Sequence, residues 1–151
     1  YLSDLDRAAR TLQAPAPALV LIGRRHVRSN NSWLHNSQRL VKGKPRCTLM
    51  IHPDDAAARG IVDGGAVRLR SRVGSIEIAA EVTGDMLPGV VCMPHGWGHD
   101  RPGTRLSVAG SSPGVSINDV VDDQRIDALT GTAVLNGTPV EVEPVRLAST
   151  A

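Results

Sequence analysis

Histidine and cysteine are the residue types of this chain that could bind a metal ion. The sequence holds five His and two Cys, but no two cysteines have the close spacing of a zinc site. His95 and His99 are four residues apart, yet they lie in a Gly-rich stretch and not on the face of a predicted helix. The sequence therefore predicts no metal ion bound by this chain alone.

Motifs for covalent catalysis and for mononucleotide binding give no clear candidate either. We identify no nucleophile elbow, and the Ser, His and Asp residues are too scattered to define a catalytic triad. Neither a Walker A motif nor a GxGxxG fingerprint occurs. The chain is therefore predicted to contribute no catalytic residue.

Three polar segments remain as candidate binding loops. The first follows Gly23 and gathers Arg, Asn, Ser and His around Trp33, the second is HGWGH at 95–99, and the third comprises the surroundings of Asn118 and Asn136. Arg side chains and backbone N–H groups bind phosphate oxygens, and Asn offers both donors and acceptors. The two Trp residues in such loops could cover the core or stack on a ligand. Together the segments predict nucleotide binding.

Short apolar or alternating runs predict the strands that position these loops. The runs lie at 18–23, 47–51, 66–72, 75–82, 90–94 and 138–147, and helical patterns occur at 3–12 and 53–60. The period-2 alternation on both sides of the turn at 73–74 predicts a β-hairpin. We predict a mainly β fold, a small closed barrel of six strands with two or three short helices and a long loop at 95–116.

The composition is that of one β-rich domain. The chain has 151 residues, only 2% aromatic residues, no Phe, ten Pro and fifteen Gly, which favours short strands and many turns. We predict that residues 1–16 form a connecting helix and linker from a missing upstream domain, and that residues 17–151 form the barrel domain. No apolar run approaches the roughly 20 residues that span a bilayer, so no membrane association is expected.

Charge and cysteine usage indicate the ligand and the compartment. Residues 1–75 hold 13 Lys and Arg against 5 Asp and Glu, whereas residues 76–151 hold 4 against 10. The basic clusters at 24–28, 39–46 and 68–72 suit a polyanionic ligand, although each could equally be a solvated face. Cys47 and Cys92 lie in apolar runs and are predicted to be buried free thiols. A reducing cytoplasm is therefore expected.

Three long runs, in their order and spacing, resemble the C-terminal molybdopterin-dinucleotide-binding domain of the dimethyl-sulfoxide-reductase superfamily. They are LIGRRHVRSNNSWLHN, MIHPDDAAARGIVDGGAVRLRSRVGSIEIAAEVTGDMLPGVVCMPHGWGH and SINDVVDDQRIDALTGTAVLNGTPVEV. The resemblance implies a six-stranded double-psi β-barrel that holds the guanine-dinucleotide ends of a bis-molybdopterin guanine dinucleotide cofactor, with molybdenum or tungsten in the parent enzyme. The segment RSNNSWLHN is similar to the corresponding segment of formate-dehydrogenase-like or other cytoplasmic dehydrogenase members.

The resemblance also implies cofactor-binding positions and partners. The loop after the first strand, the HGWGH loop and the two later Asn residues would contact the cofactor, through Gly23, Arg24, Arg25, Arg28, Ser29, Asn30, Asn31, Trp33, His35, Asn36, His95, Gly96, Trp97, Gly98, Asn118 and Asn136. The substrate pocket, the metal's protein ligand and any iron–sulfur cluster would belong to other domains of the parent oxidoreductase. The chain alone is therefore expected to be inactive.

Other readings of the sequence stay open beside this one. A pyruvoyl-type decarboxylase-like barrel would mature by cleavage at a Gly-Ser bond, and Gly74-Ser75 and Gly110-Ser111 are available. A non-catalytic recognition barrel is another, related to the double-psi barrel at the front of some ATPases. A nucleic-acid binder using the basic half is disfavoured, because single-strand binders need aromatic stacking platforms that are nearly missing here.

Overall fold

Seven strands of the chain form one mixed sheet. The structure, a computed structural model, describes residues 2–13 and 19–145. The strands are β1 Val20–Arg24, β2 Thr48–Ile51, β3 Ala66–Arg70, β4 Ser75–Val82, β5 Val90–Pro94, β6 Thr138–Pro139 and β7 Glu141–Pro144. Their order in the sheet is β6-β1-β5-β2-β4-β3-β7. The mainly β prediction is confirmed.

Short helices and turns connect the strands. They are α1 Leu2–Gln13, α2 Gln38–Val41, α3 Pro53–Ala57, α4 Ser107–Gly110 and a 3₁₀ turn at Ile117–Asp119. The described part of the chain thus has four α-helices, where two or three were predicted. The helix predicted at 3–12 is α1, and the linker predicted behind it falls mostly outside the described residues. Among the described residues no helix has the length and apolarity needed to cross a membrane.

The β3–β4 hairpin follows directly from the alternating sequence. The two strands pair antiparallel from Ala66 opposite Ala79 to Arg70 opposite Ser75. Val67, Leu69, Ile76, Ile78 and Ala80 are buried, while the residues between them face outward. Alternate residues of a strand point to opposite faces of the sheet, so the apolar set forms one inner face. The predicted hairpin is confirmed.

The last two strands bring the opposite edges of the sheet together. β6 pairs with β1 and β7 pairs with β3, yet only Val140 separates β6 from β7. The backbone N–H of Val140 donates to the Leu19 carbonyl at 3.1 Å, so the pairing continues through the junction. A single extended segment therefore contacts both edge strands, which requires the sheet to curl. The assignment differs from the predicted six strands because this one segment, predicted as one strand to residue 147, is divided in two and ends at Pro144.

The core lies inside this curled sheet and is almost wholly aliphatic. It includes Leu21, Leu49, Leu69, Val91 and Met93, each with an exposed fraction of at most 1%. Burying such side chains stabilises the fold by about 1.5–3 kcal/mol each. Both cysteines are free, as predicted; Cys92 is buried as predicted, whereas Cys47 is only partly buried.

Parallel pairing of β1 with β5 creates the edge at which the binding loops lie. Their register runs from Val20 opposite Val90 to Arg24 opposite Pro94, so the two strands end side by side. Parallel strands end at the same edge of a sheet. β6 runs antiparallel to β1 with Thr138 opposite Leu21, so the segment entering β6 lies at that edge too. Residues distant in sequence thus meet there.

Candidate functional site

Two loops leave the shared edge of β1 and β5. We call residues 25–36 loop A and residues 95–99 loop B. The His95 backbone N–H donates to the Arg24 carbonyl at 3.1 Å, which extends the pairing of the strands into the start of both loops. The two main loops predicted from the sequence are therefore neighbours in the fold.

Gly23, His95 and Asn136 meet at the base of the loops. The Gly23 N–H donates to Asn136 Oδ1 at 2.8 Å across 113 residues of sequence. A Cβ on Gly23 would overlap the imidazole of His95, so the ring lies directly over this glycine. Burial, and then the charge of Arg25, lower the pKa of His95. Three predicted site residues are thus brought together, and Gly is needed here for close approach.

Loop A and loop B pack backbone against backbone. Gly96 has φ +90°, and a Cβ on it would overlap the Asn31 carbonyl. Asn30 and Asn31 also have positive φ, 42° and 61°, a region that Asn tolerates better than most residues. Both Asn side chains are exposed. The turn therefore presents two adjacent carboxamides at the surface of loop A.

The Arg24 side chain is hydrogen-bonded to neighbouring strands of the sheet instead of pointing to solvent. Its guanidinium donates to the carbonyls of Cys92 at 2.7 Å, Thr48 at 3.1 Å and Arg46 at 3.3 Å, and to Thr48 Oγ1 at 2.9 Å. Glu81 lies 3.9 Å away on the same side. These bonds engage both terminal nitrogens of the guanidinium. The structure therefore places Arg24 as a support of the site.

The two arginines of loop A have guanidinium donors that remain available for a ligand. Arg25 is exposed and has no hydrogen bond or ion pair with any described residue. The Arg28 side chain donates once, to the Arg39 carbonyl at 3.1 Å. Behind them Ser29 is 3% exposed, and its Oγ has no partner among the described residues. An unsatisfied buried hydroxyl costs about 1–3 kcal/mol, so a partner for it is expected.

His35, Trp97 and His99 form one cluster between the loops. His35 is fully buried, and its Nδ1 lies 2.7 Å from His99 Nε2. The ring centroids of His35 and Trp97 are 4.1 Å apart. Burial lowers the pKa of both His35 and His99, and their mutual repulsion when charged lowers that of His35 further. Both imidazoles are therefore neutral at pH 7. His35 Nε2 and Trp97 Nε1 have no partner among the described residues.

Trp97 and Trp33 have different environments. Trp97 packs against the segment at 113–116, where a Cβ on Gly114 would lie 2.8 Å from both the Trp97 ring and Cys47 Sγ. Gly98 joins the same segment through its N–H, which donates to the Pro113 carbonyl at 2.8 Å. Trp33 is 84% exposed. Trp97 therefore covers the core, whereas Trp33 is free for a ligand or a partner.

The remaining predicted residues, Asn36 and Asn118, lie further out. Asn36 Oδ1 accepts from the backbone N–H groups of Val108 at 3.0 Å and Ala109 at 3.2 Å, so it caps α4 from a distant segment. Asn118 is exposed on the 3₁₀ turn, where only its backbone N–H is engaged, by Ser116 Oγ at 3.3 Å. The amide of Asn36 is therefore partly occupied, and that of Asn118 is open.

Ion pairing separates the three basic clusters predicted from the sequence. On β3 and the turn after it, Arg68 pairs with Glu77 at 2.8 Å, Arg70 with Glu141 at 2.5 Å and Arg72 with Asp122 at 2.6 Å. That cluster is a neutralised outer face. In contrast, no described carboxylate lies within ion-pair distance of a second set of cations, which are Arg25, Arg28, Arg39, Lys42, Lys44 and Arg46. The excess positive charge thus lies in and beside loop A.

The prediction that the sequence has no nucleophile-elbow motif is wrong as regards its spacing. Residues 110–114 read GSSPG and do have the GxSxG spacing of a nucleophile elbow. That elbow requires a strand before the serine and a helix after it. Here the motif follows the short helix α4 instead, and Ser112 is exposed.

Among the described residues no group of three or more His, Cys, Asp or Glu is arranged to hold a metal ion.

Comparison with known proteins decides the family. The model of the molydopterin dinucleotide binding domain matches residues 19–139, about four fifths of the chain. The chain belongs to this family. The resemblance seen in the sequence is therefore confirmed.

The relatives of this family member are much longer proteins. It is 37% identical over 86 residues to biotin sulfoxide reductase of Cereibacter sphaeroides, covering 56% of this chain and 12% of that protein. It is 33% identical over 85 residues to a dimethyl sulfoxide reductase of Escherichia coli, covering 56% of this chain and 10% of that protein. The chain thus spans about a tenth of the length of these relatives.

A solved structure shares the fold of this domain. Acetylene hydratase from Pelobacter acetylenicus matches with a TM-score of 0.70 and 21% identity, over 94% of this chain and 19% of that one. At this identity the likeness concerns the fold alone.

Proposed function

We propose that this chain is the C-terminal domain of a larger molybdopterin oxidoreductase, and that it holds the guanine-dinucleotide ends of a bis-molybdopterin guanine dinucleotide cofactor. The convergence of loop A, loop B and Asn136 at the end of β1 carries this proposal. Family membership supports a dinucleotide ligand, and the small share of each relative that the chain covers supports a larger parent.

The residues at this edge fit a nucleotide diphosphate in three ways. Arg25 and Arg28 are cations without a carboxylate partner among the described residues. The buried Ser29 Oγ has no hydrogen-bond partner in the part of the chain that the structure describes. Gly23 and Gly96 leave no room for a side chain where the loops meet, so the two loops pack closely enough to form one surface for the ligand. Charge and hydrogen-bonding capacity therefore both match phosphate oxygens.

The proposed roles follow from which groups are free. Arg25 and Arg28 bind the diphosphate, because guanidinium groups form paired bonds with phosphate oxygens. The exposed amides of Asn30, Asn31 and Asn118 contact the guanine or ribose edges. Positioning falls to those predicted residues whose polar or packing groups are already engaged: Arg24, His35, Asn36, His95, Trp97, Gly98 and Asn136.

The cofactor, when bound, supplies the electron-transfer chemistry of its molybdenum or tungsten centre. The remaining domains of the parent would supply the substrate pocket and any iron–sulfur cluster. We therefore propose that the isolated chain has no turnover. Val27 and Trp33 of loop A are 88% and 84% exposed, which fits a surface covered by those domains.

Finer points of the sequence prediction remain proposals. The fold is proposed to be a double-psi barrel in which 138–144 acts as one strand closing the sheet, consistent with two parallel pairs, β1–β5 and β2–β4. The parent is proposed to be formate-dehydrogenase-like and cytoplasmic, from the RSNNSWLHN wording and the free cysteines. Activity assays and fractionation of the full-length protein would test these two points.

Amide chemical-shift mapping with GDP tests the proposed grip. We expect millimolar GDP to shift amides of residues 23–31 and of Asn118. Arg25→Gln and Arg28→Gln should each weaken binding by about tenfold or more, the effect of a lost charged hydrogen bond of about 1.5 kcal/mol or more. Arg70→Gln removes the same charge from the paired outer face and is the matched control. If GDP moved no amide of loop A, the proposed site would be wrong.

A further inference from the structure

His35 and Trp97 also line a small cavity. Its volume is about 100 Å³, and its lining includes His35, Lys44, Arg46, Trp97 and Ser112. Pockets for drug-sized molecules are about 300–1,000 Å³. The cavity therefore has room for a group of a few heavy atoms and not for a guanine base with its ribose.

Three residues that line this cavity have nitrogen atoms without a hydrogen bond. His35 Nε2, Arg46 Nε and Trp97 Nε1 are all buried from solvent, and no described residue accepts from or donates to them. The indole and guanidinium N–H groups are donors only. Buried donors in native proteins nearly always have an acceptor. The Trp97 and Arg46 donors at the cavity wall thus have no acceptor among the described residues, and a bound anion would supply one.

The charge around the cavity has the same sign. Neither Lys44 nor Arg46 has a carboxylate within ion-pair distance among the described residues. Burial, and then the neighbouring charge of Arg28, lower the pKa of Arg46. The Arg46 carbonyl and one of its terminal nitrogens are fixed by Arg24 and by the Leu40 carbonyl at 2.7 Å. Arg46 is therefore a preorganised cation beside the cavity.

We propose that this cavity is a second oxyanion site, which takes a phosphate-type group through Arg46, Lys44 and the Trp97 N–H. Its use for a phosphate of the dinucleotide rests on the proposed function, whereas its anion chemistry rests on the cavity alone. The neutral His35 at its wall adds a donor or an acceptor according to its tautomer, because only one of the two imidazoles in the His35–His99 bond donates.

Tryptophan fluorescence can report on this site directly. The chain has two Trp residues, so a Trp33→Phe variant leaves Trp97, at the cavity wall, as the single indole. Inorganic phosphate, GDP and guanosine are titrated at constant ionic strength. We expect phosphate and GDP to change Trp97 emission and guanosine to leave it unchanged. Tighter binding of GDP than of phosphate would assign the group to the nucleotide, and equal affinities would assign it to free phosphate.

Substitutions then test the named residues. Arg46→Gln should weaken phosphate binding by about tenfold or more, as expected for a lost charged hydrogen bond, and Lys44→Gln by a smaller factor. Arg70→Gln is the charge-matched control and should change affinity less than about twofold. Lys44 is exposed, so Lys44→Gln keeps the test valid if Arg46→Gln does not fold.

The outcomes separate this site from the loop A grip. If GDP shifts loop A amides but neither GDP nor phosphate changes Trp97 emission, the cavity proposal is overturned and the proposed function stands. If phosphate changes Trp97 emission in a manner that depends on Arg46, while GDP leaves loop A unmoved, the cavity proposal stands and the loop A grip is wrong. Equal effects of Arg46→Gln and Arg70→Gln would overturn the cavity proposal.

Discussion

Gly96 lies against the backbone of Asn31, so that a methyl group on Gly96 would overlap the Asn31 carbonyl oxygen. Gly96→Ala is therefore expected to cost stability twice, through positive φ and through displacement of loop A. The first cost is about 1–2 kcal/mol, and the second should raise the total to about 3 kcal/mol or more. Urea unfolding gives the free energy of unfolding, and loss of GDP-induced shifts in loop A gives the local effect.

Gly103 supplies the matched control for this substitution. It has the same φ of +90°, but nothing lies within 4 Å of a Cβ placed on it. Gly103→Ala should show the backbone cost alone. Equal losses for Gly96→Ala and Gly103→Ala would mean that the contact between the two loops contributes nothing.

Asn136 offers a second test, because one substitution removes its acceptor oxygen and another keeps an acceptor oxygen while adding a charge. Asn136→Ala leaves the Gly23 N–H without its acceptor and should cost about 0.5–1.5 kcal/mol. Asn136→Asp keeps an acceptor oxygen at the same place but adds a negative charge beside the proposed diphosphate site. We expect Asn136→Asp to preserve stability while weakening GDP binding in calorimetric titration. If Asn136→Asp bound GDP as tightly as the wild type, the diphosphate would not lie near Gly23.

Strands of this fold were predictable where burial alone decides the pattern. The alternation of β3 and β4 is local and strong, so Val67, Leu69, Ile76 and Ile78 identified their own inner face. The division at Val140 was not predictable. It depends on pairing with β1 on one side and β3 on the other, which are long-range contacts that a single sequence does not display.

The roles of individual site residues were harder to predict than the loops. Arg24 and Arg25 are adjacent and chemically identical, and both were predicted to bind the cofactor. Only the fold shows that Arg24 donates to the carbonyls of Cys92 and Thr48, while Arg25 has no hydrogen bond or ion pair with the residues described by the structure. Arg46 was included in a basic cluster but not among the site residues, because no local pattern reveals an unpartnered Nε beside a cavity.

The Arg72–Asp122 pair makes stability sensitive to acid. Arg72 donates twice to the carboxylate, at 2.7 and 2.6 Å, and chiefly this lowers the pKa of Asp122. The unfolded carboxyl titrates near pH 3.9, so the contribution is fully present above that pH and is lost as pH falls through the lower folded value. The stability difference between wild type and Asp122→Asn should therefore shrink as the pH falls from about 4 to about 3.

Urea midpoints across that pH range measure the effect, and Asp85→Asn is the control. The Asp85 carboxylate has no hydrogen bond or ion pair with any described residue. Its substitution should leave the pH dependence of wild type unchanged. A stability difference for Asp122→Asn that stays constant down to pH 3 would show that Asp122 does not carry the acid sensitivity.

Burial of His35 against Trp97 predicts a fluorescence titration below the ordinary range of histidine. A charged imidazole next to an indole quenches its emission, so Trp97 in the Trp33→Phe variant should report the protonation of His35. Burial first, then His99 and Arg46, lower the pKa of His35 from its usual 6.5, against a smaller opposing effect of the Gly96 carbonyl. The quenching midpoint is therefore expected below pH 6.5. His99→Gln removes the neighbouring charge and should raise that midpoint, whereas His52→Gln, outside the cluster, should not.

The same shift fixes the direction of the stability change. The unfolded chain takes up protons on these histidines near pH 6.5, before the folded chain does, so stability should fall as pH drops below that value and level off once the folded imidazoles are protonated. Thermal unfolding between pH 8 and pH 5 measures this fall. Since His35, His95 and His99 all have a lowered pKa through burial, removing one should reduce the fall only in part. A midpoint of Trp97 quenching above pH 6.5 would mean that His35 is open to solvent and that loops A and B do not close over it.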